Sequence, residues 1–157
     1  MSDDLLTVRG RRVRGQVLSA GLLLLLAASM TAQAVELITA EEAARPDMPA
    51  ATRGVTRGPA IAQESPAADG GAVHSPIRLK VALKARGGAR IDPASVRLTY
   101  LKKPMLDLTA RVKPGISETG IALDDVTLPP GLHRVLVHVA DSEGHETEAE
   151  LKLDVAR

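Results

Sequence analysis

Residues 132–155 read LHRVLVHVADSEGHETEAELKLDV, and apolar side chains occupy alternate positions on both sides of a short polar interruption. A period of two residues is typical of β-strands that bury one face. The interruption opens with an aspartate and contains a glycine, as tight turns between paired strands commonly do. The stretch therefore predicts an antiparallel hairpin with a loop at 141–145. Its inward face is predicted to carry Val135, Val137, Val139, Thr147, Ala149, Leu151, Leu153 and Val155.

Four further alternating stretches precede this hairpin. Ile77–Lys84 has an apolar residue at every odd position, and residues 96–101 and 106–112 alternate in the same way. A weaker stretch, 120–128, is interrupted by Asp124-Asp125. Glycine, proline and aspartate separate these stretches, and none of them has the 3.6-residue period of a helix. Six or seven short strands predict an all-β domain in which two antiparallel sheets pack face to face as a sandwich.

The composition predicts an aliphatic core and excludes several kinds of chemistry. The chain has one tyrosine and no phenylalanine, tryptophan or cysteine. Without cysteine it has no disulfide, no thiolate metal ligand and no catalytic thiol. The single aromatic ring argues against carbohydrate binding by stacking of sugars on exposed rings.

The N-terminal segment has the three parts of a secretory signal peptide. Four arginines lie between residues 9 and 14, an apolar run of 14 residues follows at Val17–Met30, and Ala32-Gln33-Ala34 forms an A-x-A cleavage motif. We therefore predict a signal peptide at residues 1–34 and export to the periplasm or the medium. The run is shorter than the ~20 residues that span a bilayer. This favours cleavage, with no membrane span afterwards, although an uncleaved anchor stays an alternative.

The route of export can also be inferred from this segment. Arg11-Arg12 could belong to a twin-arginine signal, but Val13-Arg14-Gly15 follows where a polar residue and an apolar pair would be expected. The ordinary secretory route is therefore favoured.

Removal of the predicted signal peptide changes the charge balance. It takes four of the 20 basic and two of the 19 acidic residues, which leaves 16 basic and 17 acidic residues. The mature chain is thus nearly neutral, and it contains no cluster of basic residues interleaved with aromatic rings. Nucleic-acid binding is not expected.

Residues 35–75 are rich in alanine, proline, glycine and arginine and have no sustained periodicity. We predict a disordered, flexible arm here and a folded domain at 76–157. Within the arm, Thr39 and Glu42 have the spacing of a helical capping box, and a proline four residues later limits any helix to about one turn.

Two arginines stand in a near-repeat within this arm. Thr52-Arg53-Gly54-Val55 is followed by Thr56-Arg57-Gly58-Pro59. The segment is either a solvated linker or, through Arg53 and Arg57, a docking segment for an acidic partner.

Two motifs within residues 76–157 resemble those of a known class of domain. These are Ile91-Asp92-Pro93-Ala94-Ser95-Val96 and the Pro-Gly-x-His-x-Val-x-Val-x-Val-x-Asp-x-x-Gly pattern from Pro130 to Gly144. They resemble the immunoglobulin-like and fibronectin-like domains of exported bacterial proteins. The resemblance implies a Greek-key sandwich without an intrinsic active site. It implies little about function, because such domains serve as spacers, adhesion modules and assembly partners.

The histidines are the candidate metal ligands. The predicted hairpin pairs His138 with Glu148 and places His133 inward beside Leu153, which gives isolated pairs rather than the three or four convergent ligands of a zinc or copper site. The acidic loop lacks the spacing of a calcium loop, and we find no nucleophile elbow, phosphate loop or metalloprotease motif. No cofactor, metal site or catalytic residue is predicted.

A patch of apolar and basic residues is the candidate partner-binding site. The alternation predicts that Leu101 and Leu136 face outward, and Met105 follows at a strand end. Together with Lys102 and Lys103 they would form an apolar patch rimmed by positive charge, suited to docking another protein. Self-association through an uncovered edge strand is the alternative.

These observations favour a non-enzymatic, exported interaction or structural module of the bacterial cell envelope. Its partner would be an unidentified envelope protein or a second copy of the chain. An alternative from another class is a small periplasmic copper or zinc carrier with a similar sandwich, which would need histidine or methionine ligands near the mature N-terminus or clustered at one end, and Val35-Glu36-Leu37 offers none. A spacer that binds nothing specifically is the third interpretation.

Overall fold

The computed structural model of the chain describes residues 34–49 and 57–157. The predicted signal peptide, except for Ala34, and Arg53 lie outside the described residues. The strands are β1 (Val35–Glu36), β2 (Ala60–Ser65), β3 (Ile77–Lys84), β4 (Arg97–Tyr100), β5 (Leu106–Asp107), β6 (Ile116–Ser117), β7 (Gly120–Thr127), β8 (Gly131–Ala140) and β9 (Glu146–Val155). Two short α-helices are α1 (Ala40–Ala43) and α2 (Thr109–Val112), and single 3₁₀ turns lie at Pro93–Ser95 and Lys113–Gly115.

The strands form two sheets that are almost entirely antiparallel. The first has the order β1-β7-β3-β2, with β6 also paired to β7, and the second has the order β5-β4-β8-β9. Among the pairings of these named strands, the two-residue pairing of β1 with β7 is parallel, and an isolated parallel bridge joins Val73 to Val155. The prediction of an all-β chain with two antiparallel sheets is therefore confirmed.

One aliphatic core lies between the sheets. Strand β3 has four inward side chains that are buried and alternate with three exposed charges and Ala82, as its sequence pattern predicts. Each buried aliphatic side chain contributes about 2 kcal/mol, and Tyr100 is the one aromatic member of the core. The largest fully buried side chains are Tyr100, Leu37, Ile38, Leu79, Leu98, Leu108, Ile121, Leu151 and Leu153.

The C-terminal hairpin has the predicted register. Ala140 pairs with Glu146, His138 with Glu148 and His133 with Leu153. The aspartate that opens the loop stabilises the turn, because Asp141 Oδ1 accepts hydrogen bonds from the backbone N–H groups of Glu143 and His145, both at 3.0 Å.

Strand β7 is one continuous strand with an irregularity at the predicted interruption. Asp125 has a φ of 55°, and the pairing with β3 shifts register between Ile77 and Leu79. A single residue in the left-handed region is typical of a β-bulge, which bends a strand without ending it.

The prediction of a strand over residues 106–112 is wrong beyond its first two residues. Asp107 accepts a hydrogen bond from the backbone N–H of Thr109 at 2.7 Å, and the chain then turns into α2. Leu108 and Val112 are both fully buried. Residues four apart lie on one side of a helical turn, so the same apolar positions satisfy either structure, and the local aspartate favours the helix.

The prediction of a disordered arm at 35–75 is also wrong for much of the segment that the structure describes. Strand β2 pairs with β3 from Ala60 to Ser65, and β1 pairs with β7. Leu37 and Ile38 are 0% and 1% exposed. These two residues reach the core because they follow directly from β1, so the sandwich includes a segment well upstream of the predicted boundary at residue 76.

Strand β2 also connects the two sheets through a side chain. Gln63 Nε2 donates to the backbone C=O of Lys152 at 2.8 Å, and the backbone N–H of Lys152 donates to Gln63 Oε1 at 3.1 Å. A side-chain amide has the same donor and acceptor pair as a peptide group. It therefore pairs with the outer edge of β9 as a neighbouring strand would, which reduces the exposure of that edge to self-association.

Candidate functional site

The predicted patch is divided by the fold, because two of its members are buried. Leu101 is 5% exposed and Lys102 is 6% exposed. The predictions of an exposed Leu101 and of Lys102 at the rim of the patch are therefore wrong. We name residues 46–48, which cover them, the crossing segment.

The crossing segment is held by backbone hydrogen bonds and one ion pair. The N–H of Met48 donates to the C=O of Leu101 at 3.0 Å, and the N–H of Lys103 donates to the C=O of Pro46 at 2.8 Å. Lys102 Nζ lies 2.6 Å from Asp47 Oδ1. Residues 46–48 thus pair with residues 101–103 as an added strand would, from a position more than 50 residues earlier in the chain.

Arg134 fixes the same segment from strand β8. Its guanidinium makes two 2.8 Å hydrogen bonds to the carboxylate of Glu150 and a third, also 2.8 Å, to the C=O of Met48. The side chains of Arg134 and Glu150 are 18% and 10% exposed. A bidentate pair of this kind holds its partners in a defined geometry. Arg134 is therefore bound within the domain by Glu150 and Met48, and its charge is not free to contact a partner protein.

A buried polar network lies under the crossing segment. His133, 2% exposed, has its Nε2 atom 2.8 Å from the C=O of Pro129 and its Nδ1 atom 2.8 Å from the hydroxyl of Tyr100. A carbonyl only accepts, so Nε2 carries a proton. Burial disfavours a second proton on the ring, so Nδ1 accepts from the tyrosine hydroxyl and both nitrogens of the neutral histidine are satisfied.

Electrostatic conditions in this network favour the neutral forms. Burial lowers the pKa of His133, and the nearby ammonium of Lys102 lowers it further. Burial likewise raises the pKa of Tyr100 to about 12. Neither group is therefore adjusted toward proton transfer near pH 7, as a general acid or base would be.

A second structural site holds the segment that follows the predicted cleavage point. We name residues 35–44 the anchor segment. The carboxylate of Glu42 accepts two hydrogen bonds from Arg111, at 2.7 and 2.6 Å, and Arg111 also donates to the C=O of Leu37 at 2.8 Å. The predicted capping box between Thr39 and Glu42 is confirmed in the same place. Hydrogen bonding to Arg111, opposed in part by burial, lowers the pKa of Glu42 to about 2.

The remaining members of the predicted patch are exposed or half-buried. Met105 is 58% exposed, and Lys103 is exposed beside it. Leu136 is half-buried and points away from the core. Arg57 is exposed and precedes Gly58, whose Cα lies against β9, since an added Cβ would be 2.6 Å from the carbonyl oxygen of Glu146.

Leu136 lies at the centre of one sheet face. It is paired with Thr99 on one side and Glu150 on the other, and the next row along the sheet is Arg97, His138 and Glu148. We name these surface residues the outer face. It combines one apolar residue with charges of both signs. Its members are Arg97, Thr99, Leu136, His138 and Glu148.

The histidines of the hairpin do not form a metal centre. His138 Nδ1 lies 3.5 Å from Glu148, and His145 Nδ1 lies 3.4 Å from Asp141 and 3.6 Å from Glu143. Asp141 is already engaged by the turn. Among residues 34–49 and 57–157, no group of three or more histidines and carboxylates is arranged to hold a metal ion.

The surface depressions of the described region are shallow. Two grooves of about 260 Å³ lie beside the 66–71 turn and across β3 and β7. Every buried side-chain nitrogen or oxygen in this part of the chain has a hydrogen-bond partner. No buried side-chain nitrogen or oxygen of the described residues therefore points unpaired into a groove, and the charged residues that line the two grooves, such as Lys152 and Lys80, lie at the surface.

Comparison of the chain with protein-family models, curated proteins and solved structures gives no match. Within the residues that the structure describes, no helix has the length and apolar character needed to cross a membrane.

Sequence reasoning missed the crossing segment and most of the anchor segment. One local signal was available for the latter: Ile38 precedes the N-cap Thr39, and Ala43 stands at the fourth helical position, which is the spacing of a hydrophobic staple. Residues 46–48 have no periodicity or charge pattern that would indicate a covering role.

Proposed function

We propose that the protein is a non-enzymatic, exported module of the bacterial cell envelope with an immunoglobulin-like fold, and that it binds another envelope protein through the outer face. The observation that carries the proposal is the position of Leu136, half-buried at the centre of a sheet face with Arg97, His138 and Glu148 in the adjoining row. An apolar centre with a polar rim is the common plan of protein interfaces.

The contrast with the other sheet supports this choice of surface. On the outward side of the first sheet two of the three charges of β3 are paired within the domain, Lys80 with Glu64 at 2.9 Å and Arg78 with Asp124. The uncharged residues on this outward side include Ala82 of β3 and Ala122 of β7, which offer little apolar area. The outer face has the larger apolar side chain and is the better candidate for contact with a protein.

The pairing of the buried polar groups with one another favours binding over catalysis. Tyr100 and His133 are hydrogen-bonded to each other, and the second ring nitrogen of the neutral His133 is hydrogen-bonded to the C=O of Pro129. Immunoglobulin-like sandwiches function mainly through their surfaces and loops, and this is the role that we assign to the chain.

The experiment compares Leu136→Glu with the wild-type protein in living cells. Envelope proteins are crosslinked with a lysine-reactive reagent, and the captured material is identified by mass spectrometry. We expect a reproducible partner with wild-type protein and at least a tenfold loss of capture with Leu136→Glu, because a buried carboxylate disrupts an apolar contact. The matched control is Ala82→Glu, on the outward side of the first sheet, which should leave capture unchanged.

Two results would count against the proposal. Equal capture by Leu136→Glu and wild type, with both proteins equally stable, would show that the partner binds elsewhere. The absence of any captured protein would favour the spacer interpretation.

A further inference from the structure

The first residues after the predicted cleavage point are part of the folded domain. Ala34 is exposed, but Val35 and Glu36 form β1 beside Val126 and Thr127 of β7. No spacer residue separates the end of the predicted signal peptide from the sheet. In a typical arrangement of leader, linker and domain, the cleavage site would be separated from the fold by several residues.

The residues on the C-terminal side of this bond are held by both packing and hydrogen bonds. Leu37 is 0% exposed, and its N–H donates to the C=O of Thr127 at 3.1 Å. Its own C=O accepts from Arg111 at 2.8 Å, and Arg111 is held by the carboxylate of Glu42. The N–H, the C=O and the side chain of Leu37 are therefore inaccessible to a peptidase while the domain is folded.

A peptidase must bind its substrate as an accessible, extended segment on both sides of the bond that it cuts. Buried or hydrogen-bonded segments are cut only through the small population of molecules in which they have opened. Withdrawing one leucine from the core lowers that population by a factor of about 30. The hydrogen bonds to Leu37 and the ion pair of Glu42 lower it further.

We infer that folding of the domain makes the Ala34–Val35 bond inaccessible, so that the signal peptide can be removed only before residues 35–44 have folded onto the sheet. Water cleaves the bond between the carbonyl carbon of Ala34 and the nitrogen of Val35, which leaves a carboxylate on Ala34 and an amino group on Val35. The new N-terminus then enters β1. A chain that folds first keeps its signal peptide. This inference rests on the proposed export.

The test measures cleavage of the full chain, purified in detergent micelles and shown to be folded by circular dichroism. The reference substrate is a synthetic peptide of residues 28–42, which has the same bond without the domain. Each is incubated with signal peptidase and, separately, with pancreatic elastase, which cuts after alanine. Mass spectrometry follows the appearance of the product that begins at Val35.

We expect both enzymes to cut the folded chain at least 30 times more slowly than the peptide. Arg111→Ala leaves the bond and its neighbours unchanged but releases Leu37 and Glu42, and should speed cleavage of the chain about 10- to 30-fold. The matched control is Arg78→Ala, which removes an exposed ion pair with Asp124 and should have no effect.

Three results would overturn the inference. Cleavage of the folded chain within threefold of the peptide rate would show that the fold does not protect the bond. Equal acceleration by Arg111→Ala and Arg78→Ala would show that the anchor segment does not control access. If elastase cuts the peptide but signal peptidase does not, the prediction of a signal peptide is refuted. That result would contradict the proposed export, and it is distinguishable from a failure of the fold to protect the bond.

Discussion

Replacing Arg111 by alanine is expected to destabilise the folded protein by about 2 kcal/mol at neutral pH. Glu42 has a pKa of about 2 against an ordinary value of 4.5. That difference corresponds to about 3 kcal/mol of stabilisation of the ionised carboxylate. The Glu42 side chain is 11% exposed, whereas that of Arg111 is 32% exposed. Water therefore screens part of the interaction, and we reduce the expected loss accordingly.

The same pair predicts a pH dependence of defined sign. The pKa of Glu42 is lower in the folded state than in the unfolded state, so the unfolded state binds more protons as the solution becomes acidic. The stabilisation is fully present above pH 4.5 and is lost as the pH falls from there toward 2. In Arg111→Ala this part of the pH dependence should largely disappear.

Urea unfolding is the assay, followed by far-ultraviolet circular dichroism and by the fluorescence of the single tyrosine. The matched control is Arg78→Ala, because Arg78 and Asp124 have side chains that are 71% and 69% exposed. Exposed pairs contribute about 0.5 kcal/mol. If the two variants lost the same stability, or if Arg111→Ala kept the acid dependence of the wild type, the argument for a partly buried ion pair would be refuted.

Three further outcomes are expected from the same assay. Leu37→Ala should cost about 2 to 5 kcal/mol, as for other buried leucines, and a loss below 1 kcal/mol would show that the anchor segment does not complete the core. Burial lowers the pKa of His133, so the free energy of unfolding should fall as the pH drops below the unfolded-state pKa of about 6.5. This decrease should be absent in His133→Asn, and its persistence would assign it to another group. Gln63→Ala should cost about 1 to 2 kcal/mol through its two hydrogen bonds to Lys152, and Gln63→Glu should cost more because a carboxylate cannot donate; the opposite order would contradict the pairing described.

The hairpin could be predicted because its information is local. Both strands have a strict period of two, and the aspartate and glycine of the loop fix where they reverse. The register follows from the loop length alone, and so the pairing of His138 with Glu148 could be predicted from the sequence. The first strand, Ile77–Lys84, was equally predictable because its inward and outward residues differ so clearly in polarity.

The N-terminal contribution to the fold could not be predicted in the same way. Strand β2 has one large apolar residue, Ile61, among alanines and polar residues, and β1 has only two residues. These segments are ordered by distant partners in the chain: β2 pairs with β3 at separations of 15 to 24 residues, and β1 pairs with β7 at a separation of 91. Composition indicated a linker because the local sequence is poor in β-forming residues, and tertiary pairing overrides that preference.

The candidate site was predicted in part for a related reason. Alternation correctly placed Leu136 on the outward side of its sheet, and Met105 is exposed as expected. Leu101 and Lys102 were assigned to the surface because the pattern of their own strand says nothing about residues 46–48, which cover them. Periodicity predicts which side of a sheet a residue occupies, but it cannot reveal what a distant segment places on that side.

On the inference above, the anchor segment has two roles, which are to stabilise the domain and to protect the cleavage point. Its packing stabilises the domain, and the same contacts remove Leu37 from solvent. One substitution, Arg111→Ala, therefore connects stability and processing. If the account is correct, it lowers the urea midpoint and raises the cleavage rate of the same preparation.

Site-specific photo-crosslinking in living cells tests the central claim most directly. A photoreactive amino acid is placed at position 136 of the outer face or, as the matched control, at position 82 on the outward side of the first sheet. We predict that position 136 captures one envelope protein reproducibly and that position 82 does not. Capture of the same protein from both positions, or from neither, would contradict an interface centred on Leu136.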